Sequence, residues 1–445
     1  IEKTGKTLTK LYFNFIFIDM DKPKYYKRYI EKSIQLKLHT SGAVLVTGPK
    51  FCGKTTTCSV FAKSIYRINT RNAIRRTKLD PRIALSGETP HLIDEWQKIP
   101  DLWNYVKEDL DIKYEFGKYL LTGSATPPDR LEIQHTGAGR IAPLKRRPMS
   151  LFESLDSSGK VSLESLFSHP DQDVFDPNQD FTLQDLSYLI CRGGWPLSLA
   201  VTDRQSALEV TKNYCDSLFT FSESDNLKYR NRKTDTLRMV LKSYARNIST
   251  EASRKTRIND VKKNDERIRD VKTFKEYQSA LKNLFILEDR EAWCPEIRSK
   301  TAIRSSPTRH FVDPSIACCV LDISPQDLLS DRNSFGLFFE DRAVRDLRVY
   351  RNSIGGRIRH YRDNTGLECD AVIHLNDGRW APIEIKLGGI DLTEYGATRL
   401  NRLKEKLATK SSLSAPSFRR ILTGFGPLYR RKDGIYVVPI NRLRA

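Results

Sequence analysis

Residues 43–66 read AVLVTGPKFCGKTTTCSVFAKSIY, and the rest of the chain can be placed relative to this stretch. Its first five residues are a short apolar run, rich in β-branched side chains, which predicts a buried strand. The pattern G-x-x-x-x-G-K-[ST] follows at residues 48–55, and Val60, Phe61 and Ile65 then recur at helical spacing. Strand, glycine-rich loop and helix form the context of a phosphate-binding loop. We therefore predict that the chain binds a nucleoside triphosphate.

The residues of such a loop have separate tasks. Backbone N–H groups surround the phosphates, and the dipole of the following helix favours their negative charge. Lys54 is expected to reach the β- and γ-phosphates, and Thr55 to bind Mg²⁺. The predicted nucleotide-binding residues of the loop are Gly48, Pro49, Lys50, Cys52, Gly53, Lys54, Thr55 and Thr56. The predicted cofactors are ATP and Mg²⁺, and a chance match in a turn is the alternative.

Composition suggests a polyanionic partner. The 445-residue chain is too long for one core, and its 75 Lys and Arg against 55 Asp and Glu give a formal net charge of +20. Such an excess is typical of nucleic-acid binding, and an enzyme with a basic surface is the alternative. The eight cysteines contain no C-x-x-C pair and do not cluster with the seven histidines. The sequence therefore predicts neither a zinc site nor a disulfide framework, and favours a reducing cytoplasm.

The beginning of the chain predicts no membrane segment. Residues 11–18, LYFNFIFI, are apolar but too few to span a bilayer, and no small-residue cleavage site follows them. The first methionine is Met20, so we expect translation to begin there naturally, with residues 1–19 as upstream sequence. A native N-terminal strand is the alternative. Residues 21–40 predict a helix that leads into the core.

A second motif, HLIDE at residues 91–95, is a short apolar run that ends in two acids. In nucleotide hydrolases such a strand lies beside the phosphate loop, where the Asp holds Mg²⁺ through water and the Glu polarises the attacking water. We predict that Asp94 is the Mg²⁺ ligand and Glu95 the catalytic base. A purely structural strand end is the alternative.

A third strand is predicted at residues 118–122. ATPases of the AAA type place a polar residue that senses the γ-phosphate at the end of such a strand, and both Thr122 and Ser124 fit this description. Ser124, which lies beyond the apolar run, is the predicted sensor. Arg140 is predicted to act as an arginine finger that reaches the nucleotide of a neighbouring subunit, with a surface charge as the alternative. This prediction implies a homo-oligomer.

Several segments together resemble one family. They read SGAVLVTGPKFCGKTTT, GETPHLIDEWQKIPDLW, YLLTGSATP and HTGAGRIAPLKRRPMSLFES, and the likeness continues through RGGWP, RHFVDPS, FGLFFEDRAVRDLRVY and GLECDAVIHLNDGRWAPIEIKLGG. The chain is similar, from about residue 30 to 440, to bacterial and archaeal AAA-type ATPases fused to a C-terminal domain of unknown function. The resemblance implies an ATPase, a helical, winged-helix-like middle and a nuclease-like C-terminal fold.

We accordingly predict an α/β multidomain chain. Its predicted units are an N-terminal extension and lead-in helix (1–40), an AAA-type ATPase core (41–150), a helical lid and winged-helix-like region (151–300), and a nuclease-like α/β domain (301–445). Residues 228–272 contain fifteen Lys or Arg and six Asp or Glu. Helices followed by a strand-like run at 284–287 fit a winged helix, whose exposed cations would lie along a duplex backbone. The solvated face of an ordinary lid is the alternative.

Four C-terminal residues complete the predicted sites. A helix at 335–350, a hairpin at 356–375 and a strand at 380–387 place them in the order helix E, strand D, strand E-x-K, as in the PD-(D/E)XK nuclease fold. The predicted metal site comprises Glu340, Asp370, Glu384 and Lys386. The carboxylates would share Mg²⁺, and the lysine, on the same face, would stabilise the attacking hydroxide. The alternative is a structural or DNA-docking module without cleavage, and Cys369 stands where the motif has proline.

The sequence thus predicts a Mg²⁺-dependent ATPase coupled to nucleic acid, in particular DNA, through its basic winged-helix and nuclease-like domains. The first alternative is a regulatory NTPase switch that acts on a protein partner and carries a non-cleaving C-terminal domain. The second is an active ATP-gated nuclease. Stimulation of ATPase activity by DNA would separate the prediction from the regulatory switch, and a strong salt dependence would indicate backbone contact.

Overall fold

The computed structural model describes residues 25–124, 137–220, 234–262, 271–295, 306–410 and 413–445. The predictions for residues 1–19 lie outside these ranges. So do two parts of the basic segment, residues 228–233 and 263–270. Among the helices that are described, none combines the length and the apolar character needed to cross a membrane.

The N-terminal unit is built on a five-stranded parallel sheet. Its strands are β1 (Ala43–Thr47), β2 (Ser64–Arg67), β3 (His91–Asp94), β4 (Tyr119–Gly123) and β5 (Ile141–Lys145). Their spatial order is β2-β3-β4-β1-β5, with every neighbouring pair parallel. The carboxyl ends of all five strands therefore meet at one edge of the sheet, which is where α/β proteins bind ligands. The loop after β1 and the acids around the end of β3 both reach this edge.

Apolar clusters cover both faces of this sheet. Among its described residues, four helices accompany the strands: α1 (Ile30–Leu38), α2 (Lys54–Ser59), α3 (Arg71–Leu79) and α4 (Leu102–Ile112). Along β1, Ala43 belongs to the cluster that contains Trp103 of α4, whereas Val44 and Val46 belong to the cluster that contains Ile34 of α1. Because both faces are buried, the central strand reads as a continuous apolar run rather than an alternating one.

The helix after the phosphate loop is shorter than the sequence pattern indicates. Helix α2 ends at Ser59, and residues 64–67 form β2 instead of continuing the helix. Val60 is therefore 56% exposed, and Ile65 pairs with Leu92 in parallel register. The prediction that Val60, Phe61 and Ile65 lie on one face of a helix is therefore wrong. Pairing with β3 overrides the local periodicity, because the alternating side chains of β2 suit a strand.

The middle of the chain is helical. Its helices are α5 (Leu163–Ser168), α6 (Leu183–Arg192), α7 (Arg204–Thr220), α8 (Thr234–Arg246), α9 (Arg254–Lys262), α10 (Val271–Asn283), α11 (Pro314–Val320) and α12 (Pro325–Ser330). After α10 the chain becomes extended, and antiparallel bridges join Leu287 to Phe311 and Arg290 to Thr308. Three helices followed by bridged extended segments match the predicted order of elements. The winged-helix assignment itself stays a prediction.

The C-terminal unit is a mixed sheet between two long helices. The helices are α13 (Arg332–Ile354) and α14 (Ile390–Lys410). The strands are β6 (Val161–Ser162), β7 (Phe175–Asp176), β8 (Arg357–Arg362), β9 (Glu368–His374), β10 (Trp380–Lys386), β11 (Arg419–Thr423), β12 (Leu428–Arg430), β13 (Ile435–Pro439) and β14 (Leu443–Arg444). Seven of them form one sheet in the order β7-β12-β13-β11-β10-β9-β8. Along the chain the core runs α13, three antiparallel strands, α14 and then β11, which lies parallel to β10.

The predicted boundary at residue 300 does not separate two cores. Strand β7 belongs to the C-terminal sheet, and β6 pairs in parallel with β14 at the end of the chain. One apolar cluster contains Cys52 of the phosphate loop and buried residues from Leu151 to Ala445, including helices of the middle region. The boundary separates two sequence patterns, but the packing partners lie far apart along the chain. The middle and C-terminal regions therefore share a core.

Candidate functional site

The phosphate loop depends on glycine at both ends. A Cβ atom at Gly48 would lie 2.2 Å from the carbonyl oxygen of Arg146, a contact that no side chain tolerates. Gly53 has a φ of 86° and directly precedes α2, in a conformation that L-residues with a side chain rarely adopt. The loop can therefore turn tightly between β1 and α2, as a phosphate cradle requires.

Lys54 already lies against the loop. Its buried ammonium donates hydrogen bonds to the carbonyl oxygens of Gly48 at 3.0 Å and Pro49 at 2.8 Å. Both acceptors belong to the loop itself, so the charge is held where a phosphate would enter. Exchanging these carbonyl partners for phosphate oxygens is a short movement of one flexible side chain.

Two of the predicted Mg²⁺ ligands contact each other. The Thr55 hydroxyl donates to Oδ1 of Asp94 at 2.8 Å, and the Thr122 hydroxyl donates to the same oxygen. Asp94 thus connects the beginning of α2 with the ends of β3 and β4. Hydroxyl and carboxylate oxygens are the hard donors that Mg²⁺ prefers, so this pair fits the ion.

The predicted base, Glu95, is held by two neighbours. Gln97 donates from Nε2 to Oε2 of Glu95 at 2.6 Å, and the hydroxyl of Ser124 approaches the same oxygen at 3.3 Å. Glu95 itself has a φ of 61°, which turns the chain sharply after β3. Sequence reasoning missed Gln97, whose only signal was a polar side chain two residues after the acid pair. Thr122 contacts Asp94 instead, so the two sensor candidates have different partners.

These side chains line one cleft of about 380 Å³. Its lining residues are Lys50, Phe51, Gly53, Lys54, Thr55, Thr56, Glu95, Lys98 and Ser124. Asp94 lies behind the cleft against Thr55, and Cys52 is buried. Sequence reasoning did not name Phe51 and Lys98. The tight glycine turns, the lysine and the hydroxyl–carboxylate pair together fit a magnesium nucleotide.

Two buried arginines support the loop from behind. Arg146 donates from Nε to the Cys52 carbonyl at 2.8 Å and also contacts the Thr57 hydroxyl. Burial lowers the pKa of Arg146 to about 10. Arg28 pairs with Glu153 at 3.1 Å and approaches the same Cys52 carbonyl. These cations bind backbone oxygens of the loop, so they position it.

Arg140 lies at the opposite end of the sheet. Its carbonyl accepts a hydrogen bond from the N–H of Ala43, where β1 begins, whereas the phosphate loop follows Thr47, where β1 ends. Strand β1 rises about 3.3 Å per residue, so its first and last residues lie roughly 13 Å apart. The Arg140 guanidinium forms an ion pair with Asp111. Arg140 is therefore not part of this chain's own cleft, and its role at a neighbour's nucleotide stays a prediction.

In the C-terminal sheet, three of the predicted site residues contact one another, and the lysine lies beside the two carboxylates as predicted. The Lys386 ammonium lies 2.6 Å from Oδ2 of Asp370 and 2.8 Å from Oε2 of Glu384. Burial raises the pKa of Glu384 to about 8, and the Asp370 charge adds to this effect. Although burial opposes it, the Lys386 charge keeps the pKa of Asp370 below its ordinary value. The ammonium thus bridges the two carboxylates.

The fourth predicted ligand, Glu340, has its own cation. Arg290 contacts it at 2.8 Å, although burial still raises the pKa of Glu340 to about 7. Among the described residues, no three His, Cys, Asp or Glu side chains form a group that can hold a metal ion. Glu340 and Asp370 line one cleft, and Lys386 lies beside Asp370 and Glu384, so the four predicted residues converge. Their role as a metal site stays a prediction. Arg290 and Lys386 compensate part of the negative charge of this cluster.

Three segments of the chain match known families. Residues 40–155 match the AAA domain, residues 183–327 a domain of unknown function (DUF8612), and residues 335–443 another domain of unknown function (DUF4143). The AAA match covers β1 to β5 and therefore the whole nucleotide cleft. The two other matches carry no assigned chemistry.

Relatives are known for part of the chain. The uncharacterized proteins Mb2031c of Mycobacterium bovis and Rv2008c of Mycobacterium tuberculosis are each 38% identical to it over 108 residues. The match covers 23% of this chain and 24% of each relative, so it spans about a quarter of their length. Among solved structures, the Walker-type ATPase PABY2304 of Pyrococcus abyssi has a TM-score of 0.41 and 12% identity, over 67% of this chain and 98% of that one. The AAA match and the loop geometry together support an AAA-type P-loop ATPase domain in residues 40–155.

Proposed function

We propose that this chain hydrolyses ATP with Mg²⁺ and couples the reaction to nucleic acid. The observation that carries the ATPase proposal is the convergence of four motif residues at one cleft. Lys54 and Thr55 from the loop meet Glu95 and Ser124 from the two neighbouring strand ends. These groups come from three separate strand ends, and only the parallel order of the sheet brings them together.

Each residue then has a task. The loop N–H groups and Lys54 bind the phosphates, while the Thr55 hydroxyl and the Asp94 carboxylate would hold Mg²⁺. The ion compensates phosphate charge when bound. Glu95, oriented by Gln97 and Ser124, accepts a proton from the attacking water.

Two substitutions test this division of tasks. Lys54→Ala should abolish nucleotide binding or nearly so, whereas Glu95→Gln should bind nucleotide and lose turnover. Loss of a general base usually costs about 10²- to 10⁴-fold in rate. Binding of a fluorescent ATP analogue and phosphate release are the measurements. A Glu95→Gln variant with the turnover of the unmodified chain would show that another group activates the water.

The coupling to nucleic acid rests on charge. The chain has a formal net charge of +20, and α9 exposes Arg254, Lys255 and Lys262. These three side chains form no ion pair with a described residue. Arg257 of the same helix is different, because its guanidinium is buried 4.6 Å from the ring of Tyr244. It serves packing rather than phosphate contact.

ATPase assays with and without DNA test the coupling. We expect duplex or single-stranded DNA to raise the turnover, and Arg254→Gln/Lys255→Gln to weaken binding regardless of sequence. The slope of log K against log salt should fall by roughly one for each lost phosphate contact. If the affinity for DNA and its salt slope did not change, helix α9 would be a solvated surface that does not contact DNA. Lys263, predicted as part of the same surface, lies outside the described residues.

A second candidate is a regulatory NTPase switch with a non-cleaving C-terminal domain. One observation favours it: Lys386 forms ion pairs with both Asp370 and Glu384, so these two carboxylates are compensated by the chain's own lysine. The order of α13, β8 to β10, α14 and β11 is nevertheless that of the predicted nuclease-like fold. Cleavage of DNA with Mg²⁺ or Mn²⁺, abolished by Asp370→Ala, would exclude a non-cleaving domain.

A further inference from the structure

Helix α3 is fixed in orientation by its inner face. At its beginning, the Thr70 hydroxyl accepts a hydrogen bond from the N–H of Ala73 at 3.1 Å. Further along, the buried hydroxyl of Thr77 lies 3.0 Å from the Tyr66 hydroxyl of β2, and Ile74 packs against the apolar core. The helix therefore presents one constant face to solvent.

That outer face is basic and without acidic partners. Residues 63–83 contain seven Lys or Arg and a single acid, Asp80. Asp80 caps the following turn by accepting a hydrogen bond from the N–H of Arg82. The exposed cations on and beside the helix are Arg67, Arg71, Arg75, Arg76, Lys78 and Arg82. None of them forms an ion pair with any residue in the described ranges.

Three of these cations form a row along the helix axis. Arg71, Arg75 and Lys78 follow one another at i, i+4 and i+7, so they lie on one stripe of the helix. The stripe rises about 10.5 Å from its first to its last residue. Like charges at this spacing destabilise an isolated helix, so the stripe contributes nothing to local stability.

We infer that α3 is a second contact surface for the phosphate backbone of nucleic acid, on the ATPase unit itself. Duplex DNA presents one phosphate of each strand per about 3.4 Å of axis, so the stripe matches about three phosphates. A second copy of this chain is a poor partner for the α3 face in particular, because its net charge is also +20. The inference extends the proposed coupling to nucleic acid and rests on it.

Helix α3, and with it the proposed phosphate contact, lies close to the nucleotide cleft. In the sheet, Arg67 at the end of β2 pairs in register with Asp94 at the end of β3. The N–H of Ile68 donates to the Asp94 carbonyl at 3.1 Å, and α3 begins three residues later. Nucleic acid on α3 therefore lies one strand away from the predicted Mg²⁺ ligand. The same sheet edge serves both sites.

The test neutralises the stripe. The triple variant Arg71→Gln/Arg75→Gln/Lys78→Gln should lower the salt slope of duplex DNA binding by about three and weaken binding about 100-fold near 0.15 M salt. Its basal ATPase activity should be unchanged and its stimulation by DNA lost. The matched control is the triple variant Arg332→Gln/Arg402→Gln/Lys404→Gln, three exposed cations of α13 and α14. It should bind like the unmodified chain.

The outcomes separate this inference from the broader proposal. If the α3 variant binds DNA normally while Arg254→Gln/Lys255→Gln does not, the inference is overturned and the coupling proposal stands. If the unmodified chain binds no DNA at any salt, both fail. A changed oligomeric state with unchanged DNA binding would assign α3 to contacts between copies. The charge-preserving variant Arg71→Lys/Arg75→Lys should bind like the unmodified chain, and unchanged basal ATPase activity of the triple Gln variant excludes a folding defect.

Discussion

Replacing Glu384 by Gln should remove the pH dependence that this residue imposes on stability. The Glu384 side chain is fully buried between Lys386 and Arg399, and its pKa is raised from 4.5 to about 8. Because the pKa of Glu384 is higher in the folded chain than in the unfolded chain, the free energy of unfolding is highest when Glu384 is protonated. Its contribution is complete below pH 4.5, the ordinary value, and is lost as the pH rises to about 8. Gln has nearly the same shape as the protonated acid and does not ionise.

The size of the effect follows from the two pKa values. At about 1.36 kcal/mol per pKa unit, a difference of about 3.5 corresponds to about 5 kcal/mol in the free energy of unfolding. About 4 kcal/mol of this change falls between pH 5 and pH 9. Glu384→Gln should therefore resemble the unmodified chain at pH 5 and be several kcal/mol more stable than it at pH 9.

Urea unfolding of both proteins across this pH range measures the difference. Comparing the two at each pH cancels the titration of the groups that do not interact with Glu384. The control is Glu405→Gln, an exposed carboxylate on α14. A stability difference between Glu384→Gln and the unmodified chain that stays constant from pH 5 to pH 9 would refute the reasoning. It would mean that Glu384 is ionised in the fold, as a metal ligand would be.

Two further predictions concern the nucleotide cleft. Gln97→Ala should lower kcat about tenfold or more while leaving KM nearly unchanged, because Gln97 orients the Glu95 carboxylate and touches no phosphate; a shift in KM alone would contradict this role. Arg140→Ala subunits mixed with Lys54→Ala subunits should recover part of the lost ATPase activity if Arg140 acts at a neighbour's nucleotide. If mixed oligomers form but ATPase activity does not recover, Arg140 serves only as the ion-pair partner of Asp111.

Much of the nucleotide site is determined by the sequence alone. The loop pattern specifies a lysine and a hydroxyl that are adjacent in the chain, and chain connectivity keeps them together in any fold. Gly48 and Gly53 mark positions where only glycine fits, as the structure confirms. The strand at residues 91–94 was also predicted correctly. The apolar runs that give these strands are local signals, which a single sequence contains in full.

The tertiary structure decided which distant side chains meet. Lys386 bridges two carboxylates and Arg290 pairs with Glu340, although 50 residues separate the latter two along the chain. Charge pairing depends on which groups the fold brings within about 4 Å, and no local pattern encodes that distance. The same holds for Arg146 behind the phosphate loop. The sequence identified most residues of the nucleotide cleft because they lie in short motifs, whereas only the fold showed that Arg290 and Arg399 lie beside the C-terminal carboxylates.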